Sequence, residues 1–321
     1  MKLSSFRVKR NGASTVGAVA DDFYVDLHAF TEGAIPPTML EFLRGGDAAM
    51  AGARAALLEV KQKLGAGNPE KLKSSSGARC AYSPDEIELL APVPRPGKII
   101  HTACNFDAHL AELTTWKEPE WESHNWKNFH FEHPTGFLQA PSSVVPSGAR
   151  VERPVFTRQL DYEVEMAIII GKDAFRVGVD EALDYVAGFA VFNDLSARDI
   201  QAREHSNKVI LMGKSFKGSC PLGPWLVTKD ELTDPHDLEM KLLVNGETRQ
   251  HSNTSHMHYK TAELVSWWSN MLLEPGDVIT SGSPPGVAAG MNVPRWLQPG
   301  DKVEAIVDKL GTLTTYIVDA T

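Results

Sequence analysis

Apolar positions near the start of the chain come in short alternating runs. Val16–Val19 and Phe23–Leu27 read as two strands flanking the turn-like pair Asp21-Asp22. Helical spacing then takes over from Ala48 to Leu64, with Asp47 as its N-cap and Gly65 as its stop. Residues 65–79 are rich in Lys, Ser and Gly and read as a solvated loop. The stretch Ala91-Pro-Val-Pro-Arg-Pro-Gly97 excludes both a helix interior and a central strand, because its prolines lack N–H donors. A boundary placed there divides the chain into a small N-terminal domain, 1–90, and a larger one, 91–321.

Past that boundary, Lys98-Ile-Ile-His-Thr102 reads as a strand. It enters a stretch reaching to about residue 133, in which Trp116, Trp121 and Trp126 stand among charged residues without a core pattern. A helix is predicted from Ala262 to Leu273, where Leu264, Trp267, Trp268, Met271 and Leu272 recur at helical spacing. Thr261 is its cap and Pro275-Gly276 its stop. Elsewhere after residue 155 strands dominate, so the predicted class is α+β, mainly β.

The polar positions carry the candidate chemistry. In Leu160-Asp-Tyr-Glu-Val-Glu-Met166 the strand period of two puts Asp161, Glu163 and Glu165 on one face. A solvated acidic face would give the same pattern. Here, however, the acids run into the apolar stretch Met166 to Ile170, and like charges crowded beside a buried segment need a compensating cation. The segment Tyr185 to Gln201 begins as a buried strand, and Ser196 with Asp199 has capping-box spacing for a short helix. That leaves Asp194 at the junction and puts Arg198 and Gln201 on one helix face. Lys214 sits in the Gly- and Pro-rich loop Met212 to Pro224, and Gly276 to Val287 is a strand running into a glycine–hydroxyl turn. Taken one at a time, these are also ordinary turn, surface-helix and loop residues.

Composition narrows the function classes. With 42% hydrophobic and 23% charged residues, a chain of 321 can bury a real core. The net charge of -9, without any Lys/Arg block, argues against nucleic acid or a membrane surface as partner, yet leaves room for an anionic small molecule in a locally positive cleft. Cys80, Cys104 and Cys220 have neither zinc-knuckle nor disulfide spacing. The apolar runs are far shorter than the ~20 residues of a spanning helix. No signal-like apolar segment follows the basic start, so a cytoplasmic protein is expected.

The pieces become specific in their order. Glu163-x-Glu165, Asn193 to Gln201, Lys214-Ser-Phe216, Cys220-Pro-Leu-Gly-Pro224, Asn253-Thr-Ser-His-Met257 and Gly276 to Val287 follow one another, and Asn105-Phe-Asp-Ala-His-Leu-Ala-Glu112 precedes them. Over residues 98 to 321 the chain resembles the fumarylacetoacetate hydrolase family, of the acylpyruvase or 2,4-dioxo acid hydrolase type. The resemblance implies a mixed β-roll catalytic domain, a lid at about 105–133, and pairing as a homodimer. It implies Mg²⁺, with Mn²⁺ and Ca²⁺ as the other candidates, held by the oxygens of Glu163, Glu165 and Asp194. It assigns Lys214, Arg198, Gln201 and Ser283 to a 2-oxo acid substrate or its developing oxyanion, and His109 with Glu112 to water activation.

The implied reaction is hydrolysis of a C–C bond in a 2,4-dioxo acid or acylpyruvate, through a pyruvate-type enolate. Oxaloacetate decarboxylation, or isomerisation or decarboxylation of an aromatic-catabolism intermediate, would use the same metal site. The intact set of carboxylates, Lys214, His109 and Glu112 speaks against a non-catalytic binding protein. The chain departs from the family pattern at Phe106, where Tyr is usual, at Gln139, where Lys is common, and at Ser281 and Ser283, where Thr is more usual. Asp107 is one position away from a further Asp ligand of larger members. His256 and His258 read as ordinary polar residues, and His124, His130 and His133 as loop histidines.

Overall fold

A computed structural model of the protein describes residues 1–10, 12–64, 69–113, 116 and 132–320. Near the start, β1 (Lys2–Val8), β2 (Ser14–Ala20) and β3 (Phe23–Asp26) form an antiparallel meander, edged by β4 (Ala81–Tyr82), while β5 (Ile87–Leu90) pairs with β1. Then come β6 (Ile99–Thr102), β7 (Gly136–Gln139), β8 (Val144–Val145), β9 (Ala149–Glu152) and β10 (Leu160–Asp161). The strands that carry the site follow: β11 (Val164–Ile170), β12 (Val186–Asn193), β13 (Ser196–Ala197) and β14 (Cys220–Thr228). The last are β15 (Glu239–Val244), β16 (Glu247–Asn253), β17 (Val278–Thr280), β18 (Lys302–Val307) and β19 (Gly311–Val318).

A 12-stranded sheet runs β4-β3-β2-β1-β14-β12-β11-β17-β6-β7, with β5 on β1 and β8 on β14; a 5-stranded sheet runs β16-β15-β18-β19-β9. The N-terminal strands therefore continue the sheet that carries the candidate site, through the antiparallel pairing of Lys2 with Val227. Strand β11 lies between two cores. Ala167 and Ile169 pack with Leu3, Val16 and Phe42, whereas Val164, Met166, Ile168 and Ile170 pack with Leu242, Val303 and Leu313. Burial on both faces is why the run Met166 to Ile170 is apolar at every position.

The helices are α1 (Leu27–Phe30), α2 (Met39–Arg44), α3 (Gly46–Leu64), α4 (Asp107–Leu113), α5 (Arg198–Ser206) and α6 (Thr261–Trp268) among the described residues. Helix α3 begins earlier than the sequence pattern suggests, at Gly46, whose φ of 56° turns the chain sharply after α2. Its stop, Gly65, lies outside the described residues. Helix α6 ends at Trp268 instead of Leu273. A 3₁₀ turn, Ser269–Met271, follows, and Leu272 at φ 59° cannot extend a right-handed helix. Among the described residues no helix is long and apolar enough to cross a membrane.

One buried carboxylate ties the start of β6 to β17. Asp277 accepts from the Lys98 N–H at 2.8 Å, from the Glu274 N–H at 2.8 Å, and from Lys98 Nζ at 2.7 Å. Asp277→Ala leaves backbone donors unpaired in the interior and is expected to lower unfolding free energy by ~2–4 kcal/mol. A denaturant titration checks this; an unchanged midpoint would show that the backbone finds other partners.

Candidate active site

The acidic segment is not the continuous strand that its period suggested. Strand β10 ends at Asp161 and β11 starts at Val164, and Tyr162 and Glu163 lie between the two strands. None of the acids faces solvent. Asp161 accepts from Arg198 Nε at 2.9 Å and from the Ala288 N–H at 2.8 Å, a clamp that fixes the guanidinium. Glu163 accepts from Arg198 Nη2 at 2.6 Å and Lys214 Nζ at 2.7 Å. Asp194 accepts from Gln139 Nε2 at 2.7 Å, and its other oxygen meets Lys214 Nζ. Glu165 Oε2 accepts the Gly282 N–H at 3.0 Å, while its buried Oε1 has no hydrogen-bond donor among the described residues.

His101 on β6 completes the cluster. Its Nε2 lies 3.4 Å from Glu165 Oε1 and its Nδ1 3.3 Å from Asp194 Oδ2. Candidate ligand atoms of His101, Glu163, Glu165 and Asp194 all fall within 4.8 Å of one another. The sequence predicts the strand Lys98–Thr102, but a lone histidine among apolar residues has no spacing partner to mark it as part of a site.

Charge in this group is unevenly shared. Burial, then the Asp194 and Glu163 charges, push Glu165 well above the usual carboxyl range. Burial raises Asp194 to about 7 against the pull of Lys214. Burial also acts to raise Glu163, yet Arg198 and Lys214 hold it well below its ordinary value. His101 is driven well below the imidazole range by burial and then by the Lys214 charge. Hard carboxylate oxygens and a buried acceptor without a donor are what a divalent cation requires, and the residues present fit one.

A pH dependence follows from the raised groups. Asp194 must lose its proton to bind an ion, so apparent affinity for Mn²⁺ should climb as the pH rises through about 7. Calorimetric titrations on either side of that value test this; a flat profile would contradict it. For the ion-free chain the sign is opposite. The folded state binds this proton more tightly than the unfolded chain, so the associated stability is present at low pH. It is lost as the pH rises from the ordinary Asp range, about 4, through about 7.

Helix α4 brings a second pair to the same place. His109 Nδ1 lies 2.9 Å from Glu112 Oε2, and Glu112 Oε1 accepts the Gly286 N–H at 2.9 Å. With the carboxylate accepting a hydrogen bond from Nδ1–H, the Nε2 lone pair is left on the side of Glu163, 3.9 Å away. Gly290 makes room for this, since a Cβ there would stand 2.1 Å from Glu112 Oε1. Gly290→Ala is expected to push the pair out of line and cut kcat by ~10²-fold with metal affinity unchanged. Steady-state rates beside a metal titration check it, and wild-type rates would show that the pair needs no such placement.

Lys214, Arg198, Gln201, Ser283, His109 and Trp116 line one cleft. Gln201 accepts from Arg198 Nη1 at 3.0 Å, Ser283 accepts from Gln250 Nε2 at 2.9 Å, and the Arg198 guanidinium lies 5.0 Å from the Trp116 ring centroid. Cations on one wall and imidazole on another suit a small anionic substrate.

The sequence profile described as "Fumarylacetoacetate (FAA) hydrolase C-terminal" matches residues 98–318. The chain belongs to the fumarylacetoacetate hydrolase family. It is 36% identical over 296 residues to a rat (Rattus norvegicus) protein described as "Oxaloacetate tautomerase Fahd2a, mitochondrial", covering 92% of this chain and 83% of the relative. Identity is 35% over 311 residues to "Oxaloacetate tautomerase YisK" of Bacillus subtilis, covering 94% of this chain and 95% of that one. The fold is similar to the crystal structure of maleylpyruvate hydrolase from Sphingobium sp. SYK-6 in complex with manganese(II) and pyruvate, at TM-score 0.73 and 26% identity over the whole of both chains.

Two family motifs are tied together by Asn105, whose Nδ2 donates to the Ser281 and Tyr259 carbonyls, while Phe106 bridges to Met257. The capping-box reading needs correction. Ser196 does not cap α5: its pairing with Asp161 holds it in β13, its hydroxyl donates to the Asp194 carbonyl, and Asp199 instead accepts from Thr157. Asp107 is away from the carboxylates, 80% exposed and 3.1 Å from His258 Nδ1. His256 contacts Ser252 Oγ at 3.2 Å, and His133 stacks on Trp267. Trp121, His124, Trp126 and His130, with most of the expected lid at 105–133, lie outside the described residues.

Proposed function

We propose that this family member interconverts the keto and enol forms of oxaloacetate or a close 2-oxo dicarboxylic acid, with a divalent cation held by Glu163, Glu165 and Asp194. The observation that carries the reading is the His109–Glu112 pair, aimed into a cleft that also presents Lys214 and Arg198. The two oxaloacetate tautomerases, each matching more than nine-tenths of the chain, supply the substrate. When bound, the cation supplies Lewis-acid stabilisation of negative charge at the 2-oxo oxygen.

The chain's own residues account for the proton. His109 Nε2 takes it from the C3 methylene, whose C–H electrons form the C2=C3 double bond as the carbonyl pair moves onto oxygen. Glu112 holds the imidazole in the accepting tautomer and stabilises its charged form. Burial acts to discharge Lys214, but Asp194 and Glu163 raise its pKa, so the ammonium stays charged to balance the oxygen until solvent protonates it. Arg198, Gln201 and Ser283 orient the carboxylates. With Mg²⁺ or Mn²⁺ added, the enol absorbance of oxaloacetate should decay faster than in buffer, without pyruvate release. A rate equal to buffer would refute the reading.

Hydrolysis of a C–C bond is the second reading, and it also rests on His109 and Glu112, acting on water in place of the methylene. The similar maleylpyruvate hydrolase structure favours it. Two acids released from an acylpyruvate, identified by mass, would decide for it; pyruvate from oxaloacetate would decide for decarboxylation.

A further inference from the structure

We infer that His101 contributes its Nε2 to the divalent-ion site, so that the site is one imidazole with carboxylates, and that this favours Mn²⁺ and later first-row ions over Mg²⁺. The inference rests on the reading of Glu163, Glu165 and Asp194 as the cation site. It goes beyond that reading by adding a nitrogen ligand and an ion preference.

The orientation of the ring is fixed from behind. Thr280 Oγ1 lies 3.0 Å from His101 Nδ1 and accepts from the Thr102 N–H at 3.4 Å, and Asp194 Oδ2 lies 3.3 Å from the same Nδ1. With Asp194 ionised, as ion binding requires, Nδ1 keeps its proton because it faces two acceptors, of which Thr280 is the nearer. Its oxygen is then the acceptor for both Thr102 N–H and His101 Nδ1–H. That leaves the lone pair on Nε2. Phe137 stacks on the ring at 4.6 Å between centroids and restricts its rotation. An imidazole whose far nitrogen is held by a polar group, with its ring orientation fixed, is how metal-ligating histidines are supported.

The near side of the ring meets ligand atoms. Nε2 faces Glu165 Oε1 at 3.4 Å, and that oxygen is buried without a hydrogen-bond donor among the described residues. Two ligands each ~2.1 Å from a shared ion and near right angles lie ~3 Å apart, so the pair is spaced as neighbours in a coordination shell. Both residues are buried, His101 at 4% and Glu165 at 0% exposure, so neither atom has solvent as an alternative partner. Imidazole nitrogen binds Mn²⁺, Fe²⁺ and Co²⁺ better than Mg²⁺, which strongly prefers oxygen. A nitrogen in the shell therefore shifts preference among ions that carboxylates alone would treat more evenly.

The test uses the full chain, stripped with chelator and reloaded with Mn²⁺. Pulsed electron paramagnetic resonance should show ¹⁴N coupling of a directly bound imidazole in the parent and none in His101→Gln. Calorimetry should show Mn²⁺ affinity falling ~10–100-fold in the variant while Mg²⁺ affinity falls much less. Mn²⁺ bound to the parent without ¹⁴N coupling, or equal losses for both ions, would overturn the inference and leave the carboxylate site standing. A parent chain that binds neither ion would remove the site itself, and this inference with it. Should the variant fail to fold, the coupling in parent protein carrying ¹⁵N-labelled histidine decides.

Discussion

Replacing Asp194 by asparagine is expected to leave a folded chain that binds divalent ions at least ~10²-fold more weakly and no longer turns over. The substitution keeps the shape of the side chain. Its carbonyl oxygen can still accept from Gln139 Nε2, the contact made at 2.7 Å by the native carboxylate. What disappears is the negative charge that balances Lys214 and, on our reading, the cation. Burial already raises this carboxyl to about 7, so at neutral pH the folded chain gives up little stability when the charge is deleted. Calorimetry with Mn²⁺ and circular dichroism separate the two effects. Unchanged ion affinity in a folded variant would take Asp194 out of the site.

His109→Ala should act on a different step. Removing a positioned base costs ~10²–10⁴-fold in a reaction limited by proton transfer, and ion affinity should stay within a few-fold of the parent. Glu112→Gln should cost less, since it keeps a hydrogen-bond partner for Nδ1 but not the charge that stabilises the imidazolium. The comparison also separates reactions. Loss of carbon dioxide from oxaloacetate breaks the C3–C4 bond without removing a C3 proton, so a decarboxylase would survive His109→Ala. Full tautomerase activity in the variant would place the base elsewhere.

Much of the site was legible because its residues come in short motifs of fixed order. Glu163, Glu165, Asp194, Arg198, Gln201 and Lys214 needed only the chain's own spacing and a family resemblance to be named together. Asp161 was legible as an acid but not in its role: the break between β10 and β11 turns it to the Arg198 guanidinium and the Ala288 N–H, and a period of two cannot foresee a break. His101 was invisible for another reason. Its partners Glu165, Asp194 and Thr280 belong to three distant strands or their ends, and it sits in an apolar stretch that betrays nothing of them. The same holds for the fold. Strands at 16–19 and 23–27 could be read locally, whereas their continuation into β14 depends on a pairing between opposite parts of the chain.

That pairing has a consequence for how the protein is made. Synthesis delivers β1 to β3 first and then β5, which pairs with Ser5 to Val8, but Lys2 and Leu3 meet their neighbour only when the segment holding Val227 has emerged. Until then the start of β1 carries unpaired amide and carbonyl groups beside apolar Leu3, a short template on which a second nascent chain could add a strand. Contacts so remote in sequence also close slowly. The first residues of the early meander thus wait for a partner made much later, although in the finished molecule they are held on both sides.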